Sequence, residues 1–415
     1  MAGMESNTIS LTHANRSATS HPANGLHRRD FLRVTGITVF GLGFNLHRCL
    51  AEPASGSAAA ETKAATSEDI IVGLEIGTSK VCAAVARRLP DGTIKLLGIG
   101  EAPSHGLGRC RILDFEAASA CVRAALLDAE AKSAVTIRNV VLALAGLKII
   151  PYDLEPEIFE WEKIRYADRG DGVLCGINRA ECKRARDLRV VDGADARIYN
   201  FIRLLKEIGV EVERIIFAPV ASAEALLTAN RKKLGALVID MGEGTTDYAV
   251  YAGGELVQSD SWPFGGKNIA NDLSRELGIP FARAKKLVIE EGSVRLGPSL
   301  PREFRPIVLW PKPGFSGRII EREGFNTIVH HTVREAFEQV KCRLVDSGVR
   351  LDSLRAGVRL TGGCSMLPGI CELANDVFGL WGARRTYLNR EGTSAFPSGS
   401  TAQRFACALG LLKLK

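Results

Sequence analysis

No two of the ten cysteines stand in a CxxC spacing, and no apolar run reaches the roughly 20 residues that a membrane-crossing helix requires. The first absence removes a metal ribbon or a disulfide framework, because both need thiols at short, repeated intervals. Most of the cysteines lie inside apolar runs, where a thiol behaves as a small hydrophobe, so buried free thiols in a reducing compartment are expected. Concentrated charge is missing too. The net charge of +7 is spread along 415 residues. That leaves no nucleic-acid footprint and favours an anionic membrane or an acidic peptide over a basic partner.

What is present is an ordinary globular composition, 46% hydrophobic and 24% charged, in a chain long enough for two or more domains with their own cores. Two short glycine-threonine loops stand out. One is Gly73-Leu74-Glu75-Ile76-Gly77-Thr78-Ser79-Lys80; the other is Val238-Ile239-Asp240-Met241-Gly242-Glu243-Gly244-Thr245-Thr246-Asp247. Each follows an apolar strand-like run and presents an acid, glycine and hydroxyl in the same order. Glycine lets backbone N–H groups approach an anion closely, and Thr or Ser adds a hydroxyl donor. A nearby acid can hold Mg²⁺ through water, since that ion keeps most of its hydration shell. Either loop alone is no more than a hairpin turn. Two, far apart in the chain, predict similar halves closing on the phosphates of one nucleotide.

The element pattern repeats with the loops. Ile70–Ile76, Val81–Arg88 and Thr93–Gly98 read as strands, followed by a helix from the N-cap Asp114 to about Ala131 and a buried strand at Val140–Ala145. In the second half, Leu234–Met241, Thr246–Tyr251 and Glu255–Trp262 read as strands and Lys267–Leu277 as a helix. This internal repeat predicts a mixed α/β sheet in each half. Between the halves, Leu147–Gly193 reads as charged and irregular with one helix near Asn178–Leu188. Later come a hairpin (Ile307–Trp310, Arg318–Glu321) and a helix over Thr327–Ser347 with a Val329, Val333, Phe337, Val340, Leu344 seam. His330 and His331 are placed at its start, as surface or helix-end residues rather than metal ligands.

The N-terminus has a different character. His27-Arg28-Arg29-Asp30-Phe31-Leu32-Arg33 looks like a twin-arginine export signal, followed by the apolar stretch Val34–Leu46 and an Ala/Ser/Thr/Glu linker to Glu68. An unstructured extension is the bland reading.

A third motif, Gly357-Val358-Arg359-Leu360-Thr361-Gly362-Gly363-Cys364-Ser365, is a strand ending in a double glycine before a helix. In order after two phosphate loops, it resembles the adenosine element of the actin-like ATPase superfamily. Within that superfamily, the stretch from about Ile70 to Leu412 is similar to the FtsA family of bacterial cell-division proteins. Glu75 in the first loop, Gly98–Asp114 and Asn178–Leu188 carry that closer likeness. The resemblance implies an actin-like fold: two duplicated ribonuclease-H-like halves around a nucleotide cleft, with a shortened FtsA-type 1C subdomain. The implied divisions are residues 68–146 and 194–218 (1A), 147–193 (1C), 219–263 and 354–415 (2A) and 264–353 (2B).

By position, the resemblance places Gly77, Thr78, Ser79 and Lys80 on one side of the phosphates and Gly242, Gly244, Thr245 and Thr246 on the other. Gly362, Gly363 and Ser365 fall at the adenosine. Asp240 and Glu75 are the implied water-mediated Mg²⁺ acids and the only catalytic candidates, with Asp247 bracing its loop. ATP and Mg²⁺ are the implied cofactors. The implied partners are the FtsZ C-terminal peptide, other divisome proteins and a second copy of the chain, with no nucleic acid. Arg318 and Arg322 are candidates for meeting the acidic peptide.

Several positions depart from that pattern. Ala218, before Pro219, stands where filament-forming relatives carry an acid or amide that positions the attacking water. Lys285 stands where relatives place a ribose-binding glutamate, and an ammonium cannot accept from ribose hydroxyls. Slow or absent ATP turnover is therefore expected. The chain also ends at Leu411-Leu412-Lys413-Leu414-Lys415 without the family's terminal amphipathic helix, so Arg28–Leu46 is expected to anchor the protein instead. The implied location is the cytoplasmic side of the inner membrane at midcell, with twin-arginine export as the alternative. The competing readings are a PilM-like pilus or secretion platform and a small-molecule kinase of the same superfamily. The kinase reading lacks both a base and a substrate-pocket signature.

Overall fold

Two sheets are built on one plan. The computed structural model describes residues 69–146, 148–152, 187–191, 194–297, 305–311, 316–380, 384–385, 391–397 and 403–414. In the first sheet the strand order is Thr393–Ser394, Ile94–Pro103, Lys80–Arg88, Ile70–Ile76, Asn139–Leu144, Glu211–Phe217. Ile70–Ile76 runs antiparallel to Lys80–Arg88 and parallel to Asn139–Leu144. The second sheet repeats this around Ala236–Met241, antiparallel to Thr246–Ala252 and parallel to Val358–Thr361. Even the irregularities match. A register shift falls at Val85/Ala86 in one sheet and at Val250/Tyr251 in the other, the same distance past the loop.

The central strands are apolar on both faces because helices cover both, as in any sheet with parallel connections. Helix Phe115–Ser133 begins at Asp114, whose carboxylate accepts from Ala117 N, and buries Ala118, Cys121, Val122, Ala125 and Leu126. Its close approach to strand Ile94–Pro103 needs Gly100, where a Cβ would lie 2.2 Å from Ala125 O. In the second half the predicted seam of helix Arg322–Asp346 is fully buried.

Two helices, Ala218–Leu226 and Ala406–Leu411, lie against both sheets and share a core with Ile71, Ala84, Val238 and Ala249. They touch backbone to backbone: a Cβ on Gly410 would sit 1.7 Å from Ala221 O. Leu412 is buried with them. Among the described residues no helix is long and apolar enough to cross a membrane.

Three expectations change. Leu147–Gly193 is not irregular throughout: Lys148–Tyr152 and Asp187–Val191 pair antiparallel and join the second sheet beside Glu255–Trp262. Runs such as Ile149-Ile150 and Val190-Val191 favour a pleated backbone, and the second strand takes in Asp187 and Leu188 from the end of the expected helix. The remainder of that helix, residues 178–186, lies outside the described residues, as does the N-terminal segment with its arginine pair. The long helix starts at Arg322 rather than Thr327, with Glu323 in its first turn despite Gly324. His330 is therefore well inside the helix, its Nδ1 2.7 Å from Val294 O.

Candidate nucleotide site

The two loops close in the same way. Gly77 N donates to Lys80 O and Gly242 N donates to Thr245 O, each at 2.9 Å. They also meet each other. A Cβ on Gly244 would sit 2.6 Å from Thr78 Oγ1, so only a glycine lets the second loop come this close to the first. Thr78 of one half and Gly244 of the other thus lie against each other.

Ser104, which the sequence reading did not single out, braces the first loop. Its hydroxyl donates to Gly77 O (2.7 Å) and its N–H to Ser79 O (3.0 Å). Thr78 Oγ1 has no hydrogen-bond partner among the described residues, and Ser79 is exposed. Lys80 Nζ lies 3.2 Å from Glu75 Oε2. Burial works against the Lys80 ammonium, yet the Glu75 charge outweighs it and holds the group above the usual lysine range.

In the second loop both threonine hydroxyls have structural duties. Thr245 Oγ1 donates to Asp247 Oδ2 (2.7 Å) and Thr246 Oγ1 donates to Phe264 O (2.8 Å). Asp247 Oδ1 accepts from Gly146 N at 2.8 Å, which ties the end of a first-half strand to the second half. Burial raises the Asp247 carboxyl above its ordinary range while these bonds oppose the rise. Among the described residues the backbone N–H groups of Glu243, Gly244 and Thr245 have no acceptor, as an anion-cradling turn requires.

Asp240 stands between the loops and the double-glycine corner. Its Oδ2 accepts from Ser222 Oγ at 2.7 Å, and burial, then the Glu75 charge, push its carboxyl up to about 7. A divalent cation there would relieve both costs. Among the described residues no three histidine, cysteine or acidic side chains cluster as metal ligands. Asp240, with Glu75 held by Lys80, would offer oxygens to Mg²⁺ through water, alongside phosphate oxygens. Gly362, with φ +82°, turns directly onto Asp240: a Cβ would lie 2.5 Å from Asp240 Oδ1 and from Met241 O. Gly363 has open space on its Cβ side, whereas Ser365 is buried and donates to Gly362 O at 2.7 Å.

Ala218 N-terminates its helix without an acid or amide. Glu224 does not replace one, since it is held in a buried ion pair with Lys232. Lys285 pairs with Glu243, a loop residue the sequence reading passed over, at 2.7 Å. Arg318 is exposed, but Arg322 is engaged internally by Arg305 O (2.8 Å) and Glu291 Oε2 (2.7 Å).

Duplicated sheets, paired loops and a shared acid-lined cleft define a protein of actin-like ATPase fold. Among solved structures it is similar to the PilM–PilN type IV pilus biogenesis complex (TM-score 0.57, 18% identity, 83% of this chain and 97% of that one). It is also similar to MreB5 of Spiroplasma citri bound to AMPPNP (TM-score 0.54, 17% identity, 84% and 96%). Within this class the chain is similar to FtsA proteins. The family model described as cell division protein FtsA matches residues 237–410. FtsA of Escherichia coli K12 is 27% identical over 352 residues, 76% of this chain and 83% of the relative. FtsA of Neisseria meningitidis serogroup B is 29% identical over 373 residues, 82% and 88%.

Proposed function

We propose that this protein is a cell-division adaptor of the FtsA type that holds ATP with Mg²⁺ between its two loops and links the FtsZ ring to the membrane. The observation that carries the nucleotide part is the approach of Gly244 to Thr78 beside the Asp240–Glu75 pair. The site is built for binding more than for turnover, because neither Ala218 nor Glu224 offers a group to position water. The cell-division role rests on FtsA relatives that span most of the chain.

For the FtsZ C-terminal peptide, the outer face of the hairpin Ile307–Leu309/Arg318–Ile320 offers an apolar row. Val308, Trp310 and Ile319 are 44%, 71% and 68% exposed on it, while Arg318, also exposed, stands opposite Leu309 on the other face. An aromatic anchor in an apolar row of this kind suits a short apolar peptide. Membrane attachment is assigned to Arg28–Leu46, whose arginines precede an apolar stretch.

A full-length fluorescent fusion tests the role directly, and a midcell band is expected. Diffuse or exported signal overturns it. Calorimetric titration of the purified chain with ATP and Mg²⁺ tests the site, and no binding at millimolar nucleotide rejects it. Fractionation beside a chain starting at Glu68 tests the anchor, and equal membrane content in both rejects that part.

A further inference from the structure

Between Gly106 and Asp114 lies a short hairpin, strands Leu107–Gly108 and Arg111–Ile112, whose turn consists of Arg109 and Cys110. Both turn residues have left-handed backbones, φ 45° and 57°. That two-residue turn is one that asparagine and glycine fill without strain, and a side chain at both positions is uncommon. Strain of this kind persists only where surrounding contacts impose it, and it concentrates at ligand clamps and switch regions.

The contacts that impose it are those of the cleft. A Cβ on Gly146 would lie 2.8 Å from Cys110 Sγ, and a Cβ on Gly244 would lie 3.3 Å from Arg109 N as well as 2.6 Å from Thr78 Oγ1. Two glycines have made room for the hairpin tip, one of them in the second phosphate loop. The hairpin is therefore a third wall, reaching from the first half onto the loop of the second.

Its position along that loop is informative. The Gly242 end faces the double-glycine corner: Cys364 Sγ donates to Gly242 O at 3.3 Å and Gly266 N to the same carbonyl at 3.0 Å. Arg109 meets the other end, at Gly244. A nucleotide with its base at the Gly362–Gly363 corner runs its phosphates along the loop, and the outermost phosphate ends near Thr78 and Arg109. The Arg109 side chain is exposed and makes no ion pair or hydrogen bond among the described residues. A guanidinium is always charged and offers a planar fork of donors to a phosphate.

We infer that Arg109 is a ligand of the terminal phosphate of a bound nucleoside triphosphate, so that the strained hairpin makes the cleft distinguish a triphosphate from a diphosphate. The inference rests on the nucleotide reading above. The test is calorimetric titration of the full chain with ATP and with ADP, both with Mg²⁺, for wild type, Arg109→Ala and Arg109→Lys. Arg109→Ala is expected to weaken ATP binding about tenfold or more and ADP binding less than about threefold. Arg109→Lys, which keeps the charge but not the fork, falls between. The melting temperature without nucleotide is expected to stay the same, since the side chain is exposed and makes no ion pair or hydrogen bond among the described residues. Equal loss for both nucleotides, or no loss for ATP, overturns the inference while leaving the function standing. A wild-type chain that binds neither nucleotide overturns both.

Discussion

Lys285 Nζ lies 2.7 Å from Glu243 Oε1, so a cation from helix Phe281–Glu291 neutralises an acid set in the middle of a phosphate loop. A bare carboxylate between Gly242 and Gly244 would repel the anion the loop is shaped to hold. On the proposed nucleotide reading, the position that resembles a ribose contact serves the phosphate side. Lys285 is 43% exposed, so the effect is screened by salt. Lys285→Ala is expected to weaken ATP binding roughly tenfold at low salt, and adding Glu243→Gly should restore most of it. Titrations of the two single variants and the double variant check this. Additive losses would refute the neutralising role.

Asp240 supplies a pH dependence with a definite sign. Its folded-state pKa of about 7 lies above the roughly 3.9 of an unfolded aspartate. A raised acid stabilises the fold in its protonated form. That contribution is complete below about pH 4 and is lost as pH climbs to about 7. Asp240→Asn never ionises and can still accept from Ser222. Its melting temperature relative to wild type, measured without nucleotide or Mg²⁺, should rise from pH 4 to pH 7 and then level off. A difference that stays flat across that range contradicts the raised pKa. The same variant should lose the Mg²⁺ dependence of ATP binding.

Contact across the cleft can be read from stability alone. Gly244→Ala forces a methyl toward Thr78 Oγ1, and Thr78→Ala removes that atom. The two substitutions should be non-additive by at least about 1 kcal/mol in denaturant unfolding, the double variant being the milder. Independent effects would place the loops apart.

Two glycines in helices should respond in opposite directions. Gly324, in helix Arg322–Asp346, has nothing within 4 Å of its Cβ position, so Gly324→Ala should stabilise by roughly 0.5–1 kcal/mol. A Cβ on Gly410, also helical, would lie 1.7 Å from Ala221 O, and Gly410→Ala should cost about 3 kcal/mol or more, or prevent folding. Urea melts of the two variants decide the matter.

The duplicated halves were legible because the strand–loop–strand order depends on local pattern: apolar runs, Gly77-Thr78, and the turn at Gly253-Gly254. Asp114 was readable as a cap for the same reason. The contents of the cleft were less so. Whether Thr245 points at a ligand or at Asp247, and whether Gly362 meets a base or Asp240, depends on partners far away in the chain. Glu243 looked like an interruption between glycines until Lys285, 42 residues on, came beside it. The strand pair Lys148–Tyr152 and Asp187–Val191 escaped notice because each piece is short and its neighbour in the sheet, Glu255–Trp262, belongs to the other half. The left-handed Arg109-Cys110 turn had no signal at all, since its residues are not those such turns favour.

The crossing of Ala218–Leu226 with Ala406–Leu411 leaves no slack at Gly410. Sliding there is blocked by carbonyl against backbone, whereas rocking about the contact is not. A hinge motion that moved Gly244 relative to Thr78 would therefore pivot here, where Gly410 meets Ala221.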